Sequence, residues 1–417
     1  MEYPVESIRA AFPSLASGAV FFDGPGGTQV PQAVIDAVGS YYRESNANEH
    51  GPFAASRRSD EAVAEGRRAM ADFLNARSPD EIVFGANMTT LTLHLARALG
   101  RDLGPGDEIV VTRLDHDANI APWLHLEERG VVVRWLEFIP DDCTLDLSGL
   151  ERRINERTRL VAVGAASNAF GTINDMPRII AAAKQAGALT FVDAVHYAPH
   201  RPIDVQRLDC DFLACSPYKF YGPHSGVLYG KREALERLRP YKVRPSRAAI
   251  PDGFETGTKS HEAIAGVAAA VDFLSAIGDP ARNGSGRRQR LPQALAAVME
   301  HESRLFRRLM DGLLGMEGLR LYGIADPGRL DQRTPTACFN LSGIAAGDVA
   351  RRLGAAGIQV WDGDYYAWEA MRFLGLGDKG GAVRAGICLY NDESEVDRFL
   401  HELGRIARAG SFEPDLR

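Results

Sequence analysis

From residue 80 to residue 230 the chain repeats one rhythm: a short apolar run, a turn, a stretch of helical spacing, then another apolar run. The runs are EIVF (81–84), EIVVT (108–112), VVVRWLEF (131–138), RLVAVGAAS (159–167), ALTFVDAV (188–195), DFLACS (211–216) and GVLYG (226–230). Several hold three or more apolar residues without alternation, the pattern of strands covered on both faces. Between them, TTLTLHLARAL and MPRIIAAAKQAG space their apolar residues as helices do and run into glycine. Strand and helix signals in alternation imply crossover connections. The expected fold is therefore α/β, a mainly parallel sheet of about seven strands with helices on both faces.

Past Pro251 the texture changes. EAIAGVAAAVDFLSAIG reads as one long helical stretch, and RNGSGRRQR (282–290) as a solvated basic linker. There follow a helical HESRLFRRLMDGLL, strand-like TACFNLSG (336–343), helix-like GDVARRLGAAG (347–357) and strand-like VRAGICLY (383–390), the makings of a smaller α+β domain. The expected division is an N-terminal segment (1–25) packing with the small domain, a large domain (26–275) and a small C-terminal domain (276–417).

Composition narrows the function. The 417 residues are 45% apolar and 25% charged, ordinary for a globular chain, and the net charge of −7 supplies no attraction for nucleic acid or an anionic membrane. No window approaches the 18 apolar residues of a membrane span, and the N-terminal MEYPVESIRAAF lacks a signal-peptide core. Five cysteines without CxxC spacing read as reduced thiols. A cytoplasmic protein is expected.

In open α/β sheets ligands bind beyond the carboxyl ends of the strands, so the polar residues after each run are where chemistry belongs. They are Met88, Thr89 and Thr90 opening a helix, then Asp115, His116 and Asp117, then Ser167 and Asn168, then Asp193 with His196, and finally Ser216 with Lys219. Lys219 stands in SPYKFYGPHSG, a cation between apolar runs. A lysine that forms a Schiff base needs such a partly desolvated, rigid setting. Asp193 ends an apolar run where an unpaired charge is costly, and lies one strand before Lys219. Alone, Asp193 reads equally as a helix cap. His116 is open between a metal ligand with Asp115 and Asp117, a core histidine and a stacking platform, with no second histidine at ligand spacing. A nicotinamide site would need GxGxxG after the first strand, and DGPGGTQ lacks that spacing.

Taken in order, FFDGPGGTQVPQAVIDA (21–37), LDHDANIAPW (114–123), SNAFGTIND (167–175), VDAVHYAPH (192–200), SPYKFYGP (216–223), FETGT (254–258) and VRAGICLYN (383–391) resemble the aminotransferase class V enzymes of fold type I, within their cysteine desulfurase-like group. The resemblance spans nearly the whole chain. It implies pyridoxal 5'-phosphate as cofactor, with Lys219 as the Schiff-base lysine, Asp193 as partner of the pyridinium nitrogen and His116 stacked on the ring. Asn168 and His196 would flank the phenolic oxygen. Met88, Thr89, Ser216 and Tyr218 would hold the phosphate, joined by Thr258 from the neighbouring subunit of a homodimer with shared sites. Arg384 would bind the substrate carboxylate, and Gly26 and Gly27 would let backbone approach it. No metal is implied.

One segment departs from that family. Where desulfurases present a nucleophilic cysteine on a mobile loop, this chain has VWDGDYYAWEAM (360–371), with Tyr366 or Tyr365 in its place. Phenols carry no persulfide. The resemblance then implies a small amino acid, cysteine-like or other, cleaved at Cβ by a C–S lyase, desulfinase or β-decarboxylase type of reaction. The alternatives are a true desulfurase using another thiol, a class V aminotransferase, or a non-enzymatic cofactor-binding protein. His50, Tyr365 and Tyr366 are candidates for substrate selection.

Overall fold

A computed structural model describes residues 3–277 and 285–410. The seven apolar runs form one sheet from β1 (Ile82–Gly85), β2 (Glu108–Thr112), β3 (Val132–Leu136), β4 (Thr158–Gly164), β5 (Leu189–Asp193), β6 (Phe212–Cys215) and β7 (Gly226–Gly230). Their spatial order is β1-β7-β6-β5-β4-β2-β3. The five strands from β6 to β3 are parallel, while β7 runs antiparallel to both β1 and β6. The reason lies in the connection. A parallel return needs a crossover of about a dozen residues or more, whereas residues 216–225, between β6 and β7, hold only the short turn Pro217–Lys219.

Successive side chains sort onto opposite faces. Ile109, Val111, Leu160, Phe191 and Leu228 join one core, and Val110, Val161, Val192, Leu213 and Val227 the other. Each fully buried aliphatic of this kind stabilises the fold by about 1.5–3 kcal/mol. The run at 131–138 departs from the expectation of a strand covered on both faces. It stops at Leu136, resumes as Phe138–Ile139 in a separate hairpin with Thr144–Leu145, and leaves Val132 42% exposed, because β3 is the sheet edge.

A second sheet is antiparallel: β8 (Leu319–Tyr322), β9 (Thr336–Leu341), β10 (Trp361–Gly363) and β11 (Ala382–Gly386), in the order β8-β9-β11-β10. Phe339, Val383, Phe399 and Leu309 fill its core together with Val20 and Phe22, and Val20–Phe21 pairs in parallel with Ile358–Gln359. The chain then passes from Asp23, bridged to Gly386, toward the large sheet. The basic run is not the solvated linker expected. From Arg287 it is the start of the helix Arg287–Leu314, and Arg287 reaches Glu65, Asp72 and Asp272 at 2.7, 3.0 and 2.9 Å. Arg282 to Gly284 lie outside the described residues. Those acids lie on other helices, Glu65 and Asp72 more than 200 residues away in sequence, which is why the run read as solvated. Among the described residues no helix is long and apolar enough to cross a membrane.

Candidate active site

The carboxyl ends of β2, β4, β5 and β6 open onto one pocket, where an open α/β sheet is expected to bind its ligand. Of the residues predicted from sequence, Met88, Thr89, His116, Asn168, Asp193, His196, Ser216, Tyr218 and Lys219 all line it. Asp193 and Lys219 therefore face the same cavity. Register explains why: Asp193 pairs with Ala214 across β5 and β6, and Lys219 follows β6 by one tight turn.

The two charges are mutually dependent. Burial and the nearby Arg384 pull the Lys219 amine down to about 7, against the opposing pull of Asp193. Its Nζ donates to the carbonyl of Pro25, so the N-terminal segment forms a wall of the site. Burial lifts Asp193 to about 6, although its Oδ1 accepts from the Val195 amide at 2.9 Å and Lys219 opposes the shift. A second acid lies behind it. Asp115 is 2% exposed, accepts from Asn119 Nδ2 and the Gly164 amide at 2.8 Å each, and is lifted to about 7 by burial and by the charge of Asp193. Sequence reasoning listed Asp115 only as a possible metal partner of His116. The available signal was a carboxylate beside a histidine at a strand end, without the strand neighbours that enclose it.

His116 Nδ1 accepts from the Ala118 amide at 3.0 Å, which assigns the proton of the neutral ring to Nε2. Burial, then Lys219 and Arg384, hold it down to about 4, so the ring is an uncharged platform at neutral pH. His196 is buried deeper, with Nε2 3.0 Å from Thr336 Oγ1 and 3.1 Å from Thr334 Oγ1, and burial holds it well below the usual histidine range.

At the other end of the pocket the helix Met88–Leu99 begins. Asn87 caps it, accepting from the Thr90 amide at 2.8 Å, and the first-turn amides of Met88 and Thr89 lack intrahelical acceptors. Gly226 permits this approach, for a Cβ there would lie 2.3 Å from the Asn87 carbonyl carbon and 2.7 Å from the Met88 nitrogen. Helix amides at an N-terminus suit a phosphate.

The small-domain side contributes a buried cation. Arg384 is 4% exposed, donates from Nη1 to the Asn168 carbonyl at 2.8 Å, and keeps Nε unpaired. Burial pulls it down to about 10, and among the described residues no carboxylate lies within ion-pair distance of it. A buried guanidinium left this way is suited to an anion. Gly26 packs under Trp361 and Gly27 against the Tyr218 ring, where added Cβ atoms would meet the indole Nε1 at 2.0 Å and Tyr218 Cδ2 at 3.3 Å. Tyr365 is enclosed against Arg384, while Tyr366 is 70% exposed. Seven predicted residues are not among those lining this pocket: Arg384, Gly26, Gly27, Tyr365 and Tyr366, described above, together with Thr258 and His50. Thr258 is exposed, and His50 is half exposed, 3.3 Å from Asp60. Among the described residues, Glu49, His50 and Asp60 are the only acid and histidine cluster compact enough for a cation, and His116 is not part of it.

All five cysteines are buried and unbridged. Burial pushes the Cys143 and Cys210 thiols up to about 12 and raises Cys215, Cys338 and Cys388 further. None is a thiolate at neutral pH. The donor set of the pocket suits a planar phosphorylated aldehyde: an amine poised near neutrality, an acid one strand away, an imidazole face and free helix amides.

Comparison with known proteins agrees. The aminotransferase class-V family model matches residues 20–399. A cysteine desulfurase of Pectobacterium atrosepticum is 35% identical over 98% of this chain and 99% of the relative, and one from Serratia proteamaculans is 33% identical over the same shares. Among solved structures, the apo cysteine desulfurase of Thermococcus onnurineus superposes with a TM-score of 0.87 at 30% identity, covering 98% of this chain and 99% of that one. A cysteine desulfurase from Escherichia coli gives 0.84 at 28% identity, covering 98% and 100%.

Proposed function

The chain belongs to the aminotransferase class-V family of pyridoxal-phosphate enzymes, and from that membership we propose that it cleaves a bond at Cβ of a cysteine-like or other small amino acid without passing sulfur to a thiol of its own. The observation that carries the reading is that all five cysteines are buried with raised thiols, and the resemblance adds that two phenols stand where the desulfurase loop has its cysteine. When bound, the cofactor supplies an electron sink for carbanion chemistry next to its aldehyde carbon.

The chain's own groups supply the rest. Lys219, an amine near neutrality, holds the aldehyde carbon and then carries protons at the substrate's Cα and Cβ. Asp193 keeps a proton on the pyridine nitrogen, backed by Asp115. The neutral His116 ring would cover one face of the cofactor, and Asn168 and His196, which line the same pocket, would flank its phenolic oxygen. The amides of Met88 and Thr89, with Ser216 and Tyr218, take the phosphate. Arg384 takes the substrate carboxylate, and Gly26 and Gly27 leave room for it. Thr258, exposed on its own protomer, serves the phosphate of a second copy in a homodimer.

The experiment is a spectrophotometric screen of the cofactor-loaded protein against cysteine, cysteine sulfinate, aspartate, alanine and S-substituted cysteines, with product analysis. Pyruvate reports elimination, and alanine reports desulfination or β-decarboxylation. The names of the relatives favour a second reading, a true desulfurase. Stoichiometric alanine and sulfide from cysteine plus reductant, abolished by alkylating a cysteine, would establish it and overturn the first.

A further inference from the structure

The turn joining β10 to the helix Trp368–Phe373 contains two consecutive tyrosines with positive φ, 55° at Tyr365 and 60° at Tyr366. Residues with a Cβ avoid this region and stay in it only where their surroundings hold them. Here the surroundings do. Asn168 Nδ2 donates to the Tyr365 carbonyl at 2.8 Å, and the Tyr365 hydroxyl donates to the Ala382 carbonyl. The Arg384 guanidinium lies over the Tyr365 ring, 4.3 Å from its centroid. The Asp117 amide donates to the Tyr366 carbonyl at 2.7 Å, and the Tyr366 ring stacks on His116 at 5.4 Å and 12°. Within the turn, Asp364 accepts the Tyr366 amide on its side chain at 2.9 Å and the Ala367 amide on its carbonyl at 2.8 Å.

The partners gripped by this turn are Asn168, Arg384 and His116, the three groups that face cofactor and substrate from outside β5 and β6. A guanidinium stacked on an aromatic ring uses its face and keeps its N–H groups free in the plane. Tyr365 holds the face of Arg384, and the Asn168 carbonyl holds one edge. The unpaired Nε remains in that plane.

We propose that Asp364–Tyr366 is a fixed clamp in which Tyr365 is the positioning residue for Arg384, orienting the guanidinium for a carboxylate before any substrate arrives. The proposal rests on the reading of Arg384 as the carboxylate-binding group. A segment that presents a mobile nucleophile in the desulfurases is here part of the binding wall.

The test uses cofactor-loaded protein and two carbonyl reagents that bleach the bound-cofactor band, aminooxyacetate with a carboxylate and methoxyamine without one. Wild type should react faster with aminooxyacetate, Tyr365→Leu should lose about tenfold of that preference, and Tyr365→Phe should keep it within about twofold. The preference is read as the ratio of the two rates at equal cofactor loading, so a loss shared equally by both reagents leaves the ratio intact and counts against the clamp. Absence of a cofactor band in wild type would refute the cofactor reading itself. A band without a preference for aminooxyacetate would refute the role of Arg384 and the proposal with it. A wild-type preference that survives Tyr365→Leu would overturn the clamp alone. Hydrogen exchange on the loaded wild type, independent of any variant's folding, should show protected amides at Tyr366 and Ala367, and exchange at open-loop rates would likewise overturn the clamp.

Discussion

The floor of the pocket and its roof are built on different principles. Floor groups, Asp193, His196, Ser216 and Lys219, sit at the ends of two adjacent parallel strands, so hydrogen-bond register between β5 and β6 fixes their spacing. Roof groups, Arg384, Tyr365 and Tyr366, come from the antiparallel sheet and a strained turn, and side-chain contacts fix them instead. The electrostatics differ in the same way. On the floor a buried acid and a buried amine oppose each other's shifts, whereas on the roof no carboxylate of the described residues lies within ion-pair distance of Arg384, and Asp23 acts on it only from farther off. In the function proposed above, the floor holds and activates the cofactor and the roof chooses what reaches it. Chemistry and selection should therefore respond separately to substitution.

The largest effect belongs to the floor. Lys219→Ala should abolish the bound-cofactor absorbance and reduce turnover, with about 10²–10⁴-fold of the loss from proton transfer alone. An unchanged spectrum would remove the lysine from its assigned place. On the roof, Arg384→Leu should raise the half-saturating amino-acid concentration about 10–100-fold, the range for a charge-assisted pair, while cofactor loading stays intact. Should loading fall in parallel, floor and roof are one unit and the division made above is broken.

A third prediction needs no substrate. In the cofactor-free protein the Lys219 amine titrates at about 7 against an ordinary 10.5. Between those values the unfolded chain binds more protons than the folded one, so stability rises with pH across that window. Asp193 acts with the opposite sign. Its folded value of about 6 exceeds the ordinary 3.8, the folded state binds more protons between the two, and stability falls as pH climbs through that range. Thermal melts from pH 4 to 10 should show the alkaline gain disappearing in Lys219→Met and the acidic decline becoming shallower in Asp193→Asn, the rest of that decline coming from Asp115 and Asp23, which burial also lifts. Parallel curves for wild type and both variants would mean that neither group is as desolvated as its position requires.

The same division explains what the sequence disclosed. Strand ends were legible because continuous apolar runs locate buried parallel strands, and everything carried by them followed: Asp193, Lys219, His116 and the helix start at Met88. The antiparallel course of β7 was hidden in the shortness of the segment 216–225. Asp115 was underrated because its burial depends on Gly164 and Asn119, a strand and a turn away. On the roof, Arg384 was legible through the family resemblance, and its turn only as tyrosines where the resemblance implies a cysteine. Its function arises from contacts such as Tyr365 to Asn168 and Tyr366 to His116, between residues roughly 200 or more apart in sequence, and no local pattern encodes them. The basic run misled for the same reason, since the acids that pair with Arg287 lie on other helices.

The smallest effect tests the finest contact between roof and floor. Tyr366 is mostly exposed, so its ring contributes little burial, and its remaining interaction is the stack on His116. Pairs of this kind contribute about 0.5–1.5 kcal/mol. Tyr366→Ala should cost that much in unfolding free energy and should change the circular dichroism of the bound-cofactor band, because His116 lines the pocket. Tyr366→Phe keeps the ring and should match wild type in both measurements. If phenylalanine behaves like alanine, the hydroxyl and not the stack is what matters. Tyr366 would then have to be treated as a polar group facing the substrate, which would place one more chemical function on the roof.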